Sequence, residues 1–421
     1  MEHHDADKEG FAKEGFAKEG FAKEGFPLAS WRTRNVWGFS LASLFSDMGH
    51  ELVTTVLPAF LLTIGAPVFA LAVIEGVSNF SQSLSSLLGG KWANNTGSRR
   101  SIVVIGYILT GIKALIALVS YWPWIVLLRT LAWIGRGARG PIRDTMIADE
   151  VPPSDRGKAY GFRETFDTLG AILGPLAATL LIAMISSRTL IALSAIPAVL
   201  TILVIGLFIR EPKRVQFTKE TPLESSGSKP GEAISWPEQY RIFRRAVIVF
   251  WFSQAAPTFF ILRVLLAHPH GLPFSTDVLG FALYTIHNIF YAASSYPAGL
   301  MADHGHPKLA TVTGYVLWTL SLLGFADFHL LPLLFWPVLF IFSGLATGLI
   351  ETGQKTLTVA ILSPHVRGMG LGQIAGLKGL SQLVGTLVIG ALWTLHQPAW
   401  GFLVLSVAAV LGIVNMTIVK V

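Results

Sequence analysis

Cysteine is absent from the 421 residues, which excludes disulfides, thiolate-bound zinc or iron–sulfur clusters and thiol nucleophiles. Charge is scarce as well. Asp, Glu, Lys and Arg make up 14% of the chain, against roughly 25% in a soluble globular protein. A chain of this length folding in water needs more charge to cover its surface. An ordinary cytosolic enzyme, a disordered protein and a nucleic-acid binder are therefore excluded. Signatures of enzymatic chemistry are also missing. Gly90-Lys91 and Gly157-Lys158 lack the upstream glycine and following Ser/Thr of an ATP-cradling loop, and His50-Glu51 lacks a second histidine four residues on. No G-x-S-x-G elbow occurs. No cofactor, metal or nucleic-acid partner is expected.

What is present is apolar. Hydrophobic residues make up 52% of the chain and the mean hydropathy is +0.57. Twelve stretches are long enough to cross a hydrocarbon core of ~30 Å at ~1.5 Å per residue: 35–63, 68–90, 101–120, 122–147, 158–185, 189–209, 245–267, 277–301, 309–327, 332–358, 371–395 and 399–419. Lys and Arg gather in the N-terminal tail, the even-numbered loops and the C-terminus, and Arg188 stands alone in the odd ones. The positive-inside rule then puts both termini in the cytoplasm. This also accounts for the net charge of +7 without a polyanionic partner.

Residues 1–34 repeat the pentad KEGFA and do not read as a cleaved signal peptide. They are either a disordered product of repeat slippage or an arm whose lysines and spaced phenylalanines lie on an anionic membrane face. A first six-span unit follows at 35–209, then a basic linker at 210–244 and a second unit at 245–421. The units echo one another. Pro153-x-x-Arg156-Gly157-x-x-x-Gly161 recurs as Pro364-x-x-Arg367-Gly368-x-x-x-Gly372, offset by 211. Gly90-x-x-Ala93-Asn94-x-x-Gly97 is answered by Gly299-x-x-Ala302-Asp303-x-Gly305. Two echoes in matching loops indicate a pseudo-twofold pair of six-helix bundles.

The stretch from Gly90 through Asn94 and Gly97 to Arg99-Arg100 resembles the G-x-L-A-D-R-x-G-R-R loop of the major facilitator superfamily, with Asn94 in place of the usual aspartate. Asp47-Met-Gly-His50-Glu51, Ile74-Glu75-Gly76, the run from Gly135 to Asp144, Ala148-Asp149 and Asp167-Thr-Leu-Gly170 are similar to a largely uncharacterised prokaryotic branch of it. The resemblance spans about 35–420. It implies an all-α inner-membrane protein with twelve transmembrane helices that moves a small solute by alternating access, the loop residues taking part in the conformational change.

With no ATP site, a gradient must supply the energy. Each ionisable group inside a span is then a functional candidate, because charge in a bilayer is costly. Asp47, His50, Glu51 and Thr54 share one face of the first span. Two carboxylates a turn apart repel and burial disfavours their charged forms, which suits one of them to carry a proton. The competing reading is a helix–helix ion pair with Arg129 or Lys113. Glu75, Arg129, His287, Glu351 and Lys378 are candidates for substrate contact. Arg136, Arg139 and Arg143 are expected to brace the cytoplasmic gate or meet lipid phosphates.

The 211-residue offset maps Asp144 onto Lys355 and Asp167 onto Lys378. Bridges between the bundles, Asp144 with Lys378 and Asp167 or Glu164 with Lys355, are expected when the cytoplasmic side closes. Pairing within one bundle is the alternative. Gly170-x-x-x-Gly174-Pro175 resembles an antiporter motif and favours export. The sequence thus reads as a monomeric proton-coupled efflux transporter. Proton-coupled uptake of an organic anion, or a transport-inactive sensor with the same fold, are the alternatives.

Overall fold

The computed structural model of the chain describes residues 31–95, 98–152, 155–211, 236–254, 256–267, 273–327, 331–363 and 366–420; the side chains of 90–95 and 368 are not described. The KEGFA tail, most of the linker, Gly97, Pro153 and Pro364 lie outside these residues.

The described chain is helical. The first half holds α1 (Arg34–Thr63), α2 (Val68–Asn95), α3 (Arg99–Gly111, prolonged by a 3-10 turn to Leu118), α4 (Trp122–Glu150), α5 (Arg156–Leu181), α6 (Ser187–Leu193) and α7 (Ala195–Phe208). The second holds α8 (Glu238–Phe252), α9 (Thr258–Leu265), α10 (Thr276–Asp303), α11 (Pro307–Ala326), α12 (Trp336–Ile361), α13 (Arg367–Thr394) and α14 (Pro398–Ile418). Sequence punctuation sets these starts. The Thr33 hydroxyl accepts from the Val36 N–H at 3.2 Å, and Ser275 caps α10 in the same way. Proline stands in the first turn of α4, α11, α12 and α14, where its missing N–H costs nothing.

Six helical segments among the described residues are long and apolar enough to cross a membrane. Large apolar side chains face outward, with Leu207 64% and Val407 60% exposed. An apolar outer face suits lipid and would be costly in water.

The sequence expects an unbroken span over 245–267, and the chain breaks there instead. Pro257 brings no N–H to a ladder, so α8 stops at Phe252 and α9 begins at Thr258. The freed Ser253 carbonyl accepts the Trp318 indole N–H at 3.1 Å. Gly385 of α13 lies so close to the Phe252 carbonyl that a Cβ would overlap it.

Within each half the helices pack as a bundle, α1 against α5 and α2 against α4, α10 against α12 and α8 against α14. Gly170 and Gly174 abut the α1 backbone at Leu44 and Met48, the close approach that small residues permit. The halves meet along two seams, α2 with α13 and α5 with α10. At one end, the far end, α9 also closes on α1, and Leu57, Phe60, Phe259 and Phe260 share one buried apolar cluster. At the near end, where α1 begins, α4 and α12 stand apart and line a vestibule of about 760 Å³.

Candidate functional site

Between the bundles lies a cavity of about 340 Å³, walled by α1, α2 and α4 on one side and by α8 to α13 on the other. The vestibule shares Glu351, Trp251, Ser83 and Gln382 with it.

Helices α1 and α4 run antiparallel, and the heptad spacing of Arg129, Arg136 and Arg143 aims all three at α1. Arg129 reaches Thr54 at 3.3 Å, Arg136 grips both carboxylate oxygens of Asp47, and Arg143 donates to Ser43 at 3.1 Å. The partner of Asp47 is thus Arg136, and neither Arg129 nor Lys113. Lys113 instead donates to the Ser46 carbonyl at 3.2 Å. Arg139 donates to Ser46 and Thr110 and lies over the Tyr107 ring. It is 3% exposed and so turned inward, away from lipid phosphates.

Asp47, His50, Glu51 and Thr54 share a face, as the spacing predicts, but they divide between two spaces. Asp47 lines a side cavity of about 170 Å³ with Arg136, Arg139, Arg143 and Asp167. His50, Glu51 and Thr54 line the central one. The His50 ring packs on Trp133, and its Nε2 is 3.6 Å from Glu51. Glu51 accepts the Tyr284 hydroxyl of α10 at 2.8 Å, a hydrogen bond from one bundle to the other.

Glu75 and Arg129 hold each other at 2.7 Å with the arginine fully buried. The Arg129 guanidinium also lies 4.1 Å over Trp133. In the second bundle, His287 Nδ1 is 2.7 Å from the Ser343 hydroxyl and its ring stacks near Tyr284. Glu351 accepts the Tyr291 hydroxyl at 2.8 Å, and Lys378 stands 4.7 Å over Trp251.

Asp144, Lys355 and Lys378 line the same vestibule, two bases of one bundle facing an acid of the other. The ion pairs made here by the acidic gate candidates stay inside the first bundle: Asp144 with Arg143, Glu164 and Asp167 with Arg163.

The loop motifs have structural work. Arg156 donates to the carbonyls of Ala148 and Val151 at the end of α4, and Arg367 donates to that of Leu362 at the end of α12. The acceptors Val151 and Leu362 carry the same offset of 211. Arg99 pairs with Asp149, while the N–H groups of Arg99 and Arg100 donate to Glu211. Gly157 is in the first turn of α5, and Asp303 is the exposed last residue of α10. Gly90, Asn94 and Gly368 lie in α2 and α13, where only the backbone is described, and Gly97 lies outside the described residues.

Tyr284 and Tyr291 are site residues that the sequence reading above does not name. Their signal is spacing: with His287 they sit at i, i+3 and i+7 on one face of α10. The break between α8 and α9 was signalled by Pro257.

The sequence model of the Major Facilitator Superfamily matches residues 39–282. An uncharacterized MFS-type transporter of Methanocaldococcus jannaschii is 28% identical over 388 residues, 90% of this chain and 93% of that one. The class B tetracycline resistance protein of Escherichia coli is 23% identical over 371 residues, 85% and 88% of the two chains. Among solved structures, the nucleoside transporter NupG superposes with a TM-score of 0.76 at 12% identity, covering 91% of this chain and 99% of that one. That last likeness speaks for the fold alone.

Proposed function

The chain belongs to the Major Facilitator Superfamily, and we propose that it is a proton-coupled secondary transporter exporting a small solute across the inner membrane. Twelve spans, both termini in the cytoplasm and a monomeric unit complete the reading, which places the open near end on the cytoplasmic side. One observation carries it: a polar, charge-lined cavity lies between two bundles that are packed at one end and parted at the other. Rocking the bundles about such a cavity exposes it to each side in turn.

Asp47, His50 and Glu51 are the proton-coupling residues. Glu51 is central, because the hydrogen bond from Tyr284 makes its charge state felt by the opposite bundle. Glu75, Arg129, His287, Glu351 and Lys378 contact the solute. Asp144, Glu164, Asp167, Lys355 and Lys378 form the cytoplasmic gate, the acids exchanging ion pairs inside the first bundle for bonds across the vestibule as it closes. The loops around Arg99, Arg156, Asp303 and Arg367 hold helix ends together through the motion.

Export is supported by similarity along most of the chain to a tetracycline resistance protein and by the small-residue, proline-bearing face of α5. Proteoliposomes with an imposed pH gradient test the reading. Solute movement coupled to protons is expected, and Glu51→Gln is expected to abolish the coupling. If neither solute nor protons move with any ligand that stabilises the purified protein, the reading falls.

A further inference from the structure

The cavity's polar inventory is uneven along its depth. Arg129 is fully buried, and only its Nη2 nitrogen is engaged, by Glu75 and Thr54; Nε and Nη1 have no hydrogen-bond partner. The hydroxyl of Thr258, also fully buried, is likewise unpartnered, and it stands at the N-terminus of α9. Both residues line the central cavity. A helix N-terminus carries partial positive charge, and buried donors left unmade are costly in a bilayer. The floor of the cavity is therefore built to receive an acceptor-rich, anionic group.

Toward the vestibule acids and bases are mixed, Glu351 and Asp144 with Lys355 and Lys378. Glu351 is exposed and accepts the neutral Tyr291 hydroxyl, and neither lysine forms an ion pair with it among the described residues. A carboxylate so placed can take a cation. Of the tryptophans lining the cavity, Trp133 and Trp251 are already covered, by Arg129 and Lys378. By the 211-residue offset Arg129 corresponds to Phe340, eleven residues before Glu351, which at ~1.5 Å per residue is about 16 Å along the helices.

We propose that the solute is an amphoteric organic molecule, with a carboxylate docked on Arg129 and Thr258 and a protonated amine near Glu351. The inference rests on the transporter reading above and adds the substrate class to it. Such a molecule brings no net charge into the cavity, and the coupling proton stays with Asp47, His50 and Glu51.

Three probes sharing one aromatic body test it: an aminomethyl-biphenyl carboxylic acid with its charges at opposite ends, its methyl ester (cation alone) and the methyl-biphenyl carboxylic acid (anion alone). Thermal unfolding of the purified full chain is read in detergent. The amphoteric probe is expected to give about twice the stabilising shift of either analogue. Glu351→Gln should reduce that shift to the anion's. Arg129→Gln, made together with Glu75→Gln so that no buried carboxylate is orphaned, should reduce it to the cation's. Equal shifts from the cation alone, or an undiminished shift in both variants, overturn the proposal. If no probe shifts the protein while proteoliposomes still move protons, the substrate class falls and the transporter reading stands. If the amphoteric probe binds as described but never crosses, the transporter reading falls and the site stands.

Discussion

The Tyr284 hydroxyl donates to Glu51 across the interface between the bundles, at 2.8 Å. A carboxylate acceptor makes this bond stronger than a neutral one, worth about 1.5–3 kcal/mol, and it exists only while α1 and α10 face one another. Tyr284→Phe and Glu51→Gln are each expected to loosen the present state. The double variant should do no more than either single, since both remove one bond. The absence of cysteine makes this measurable. Spin labels on Ser86→Cys and Thr358→Cys, which line the vestibule from opposite bundles, report the distribution of distances.

Arg129 and Glu75 form a buried pair with side chains 0% and 4% exposed. Removing one partner strands a charge, so Arg129→Met is expected to cost about 3–5 kcal/mol, and adding Glu75→Met should restore most of it. Thermal unfolding reads the stability. Transport stays lost in the double variant if these residues contact solute.

Asp144 faces Lys355 and Lys378 across the vestibule without bridging to them. Asp144→Lys is expected to hold the vestibule open by removing about 1–3 kcal/mol from the closed state. Lys378→Asp should restore closure by reversing the pair. The same label pair reads the outcome, and a failure of rescue by Lys378→Asp and by Lys355→Asp alike would sink the bridge between bundles.

Arg156 and Arg367 each tie an ion to carbonyls at a helix end. Substituting either by Met should destabilise the protein by about 1–3 kcal/mol. The two losses should add, because the sites belong to different bundles. Strong non-additivity in thermal unfolding would show instead that the loops act as one unit.

Gly385→Ala places a methyl group against the Phe252 carbonyl at the break between α8 and α9. Overpacking of this kind costs about 1–3 kcal/mol. Gly140→Ala, in open space, is the control and should leave the unfolding midpoint unchanged or slightly raised.

The helices themselves were legible because a bilayer imposes a simple code. Apolar runs of fixed length must be helical to satisfy their backbone, and most boundaries fall within a few residues of those read from hydropathy, the span expected at 245–267 being the exception. The repeat at 211 was legible too, and its reason is local: each arginine closes the helix that ends just before it in the chain. Short-range chemistry of this kind is written in short-range sequence.

Partner choice was not. Spacing put Asp47 and Glu51 on one face, but only the register of α1 against α4 gave Asp47 to Arg136 and left Glu51 for Tyr284 in the other bundle. In the present, open arrangement Asp167 pairs with Arg163 one turn away and shares a side cavity with Asp47, a neighbour that spacing along one helix does not name. A helical period fixes which side chains point the same way, whereas the rotation and depth of packed helices fix what they meet. The scarcity of charge belonged to the sequence. The division of those few charges between gripping one another and facing a cavity was decided by tertiary structure, because burial and distance determine whether an ion in a membrane finds a partner.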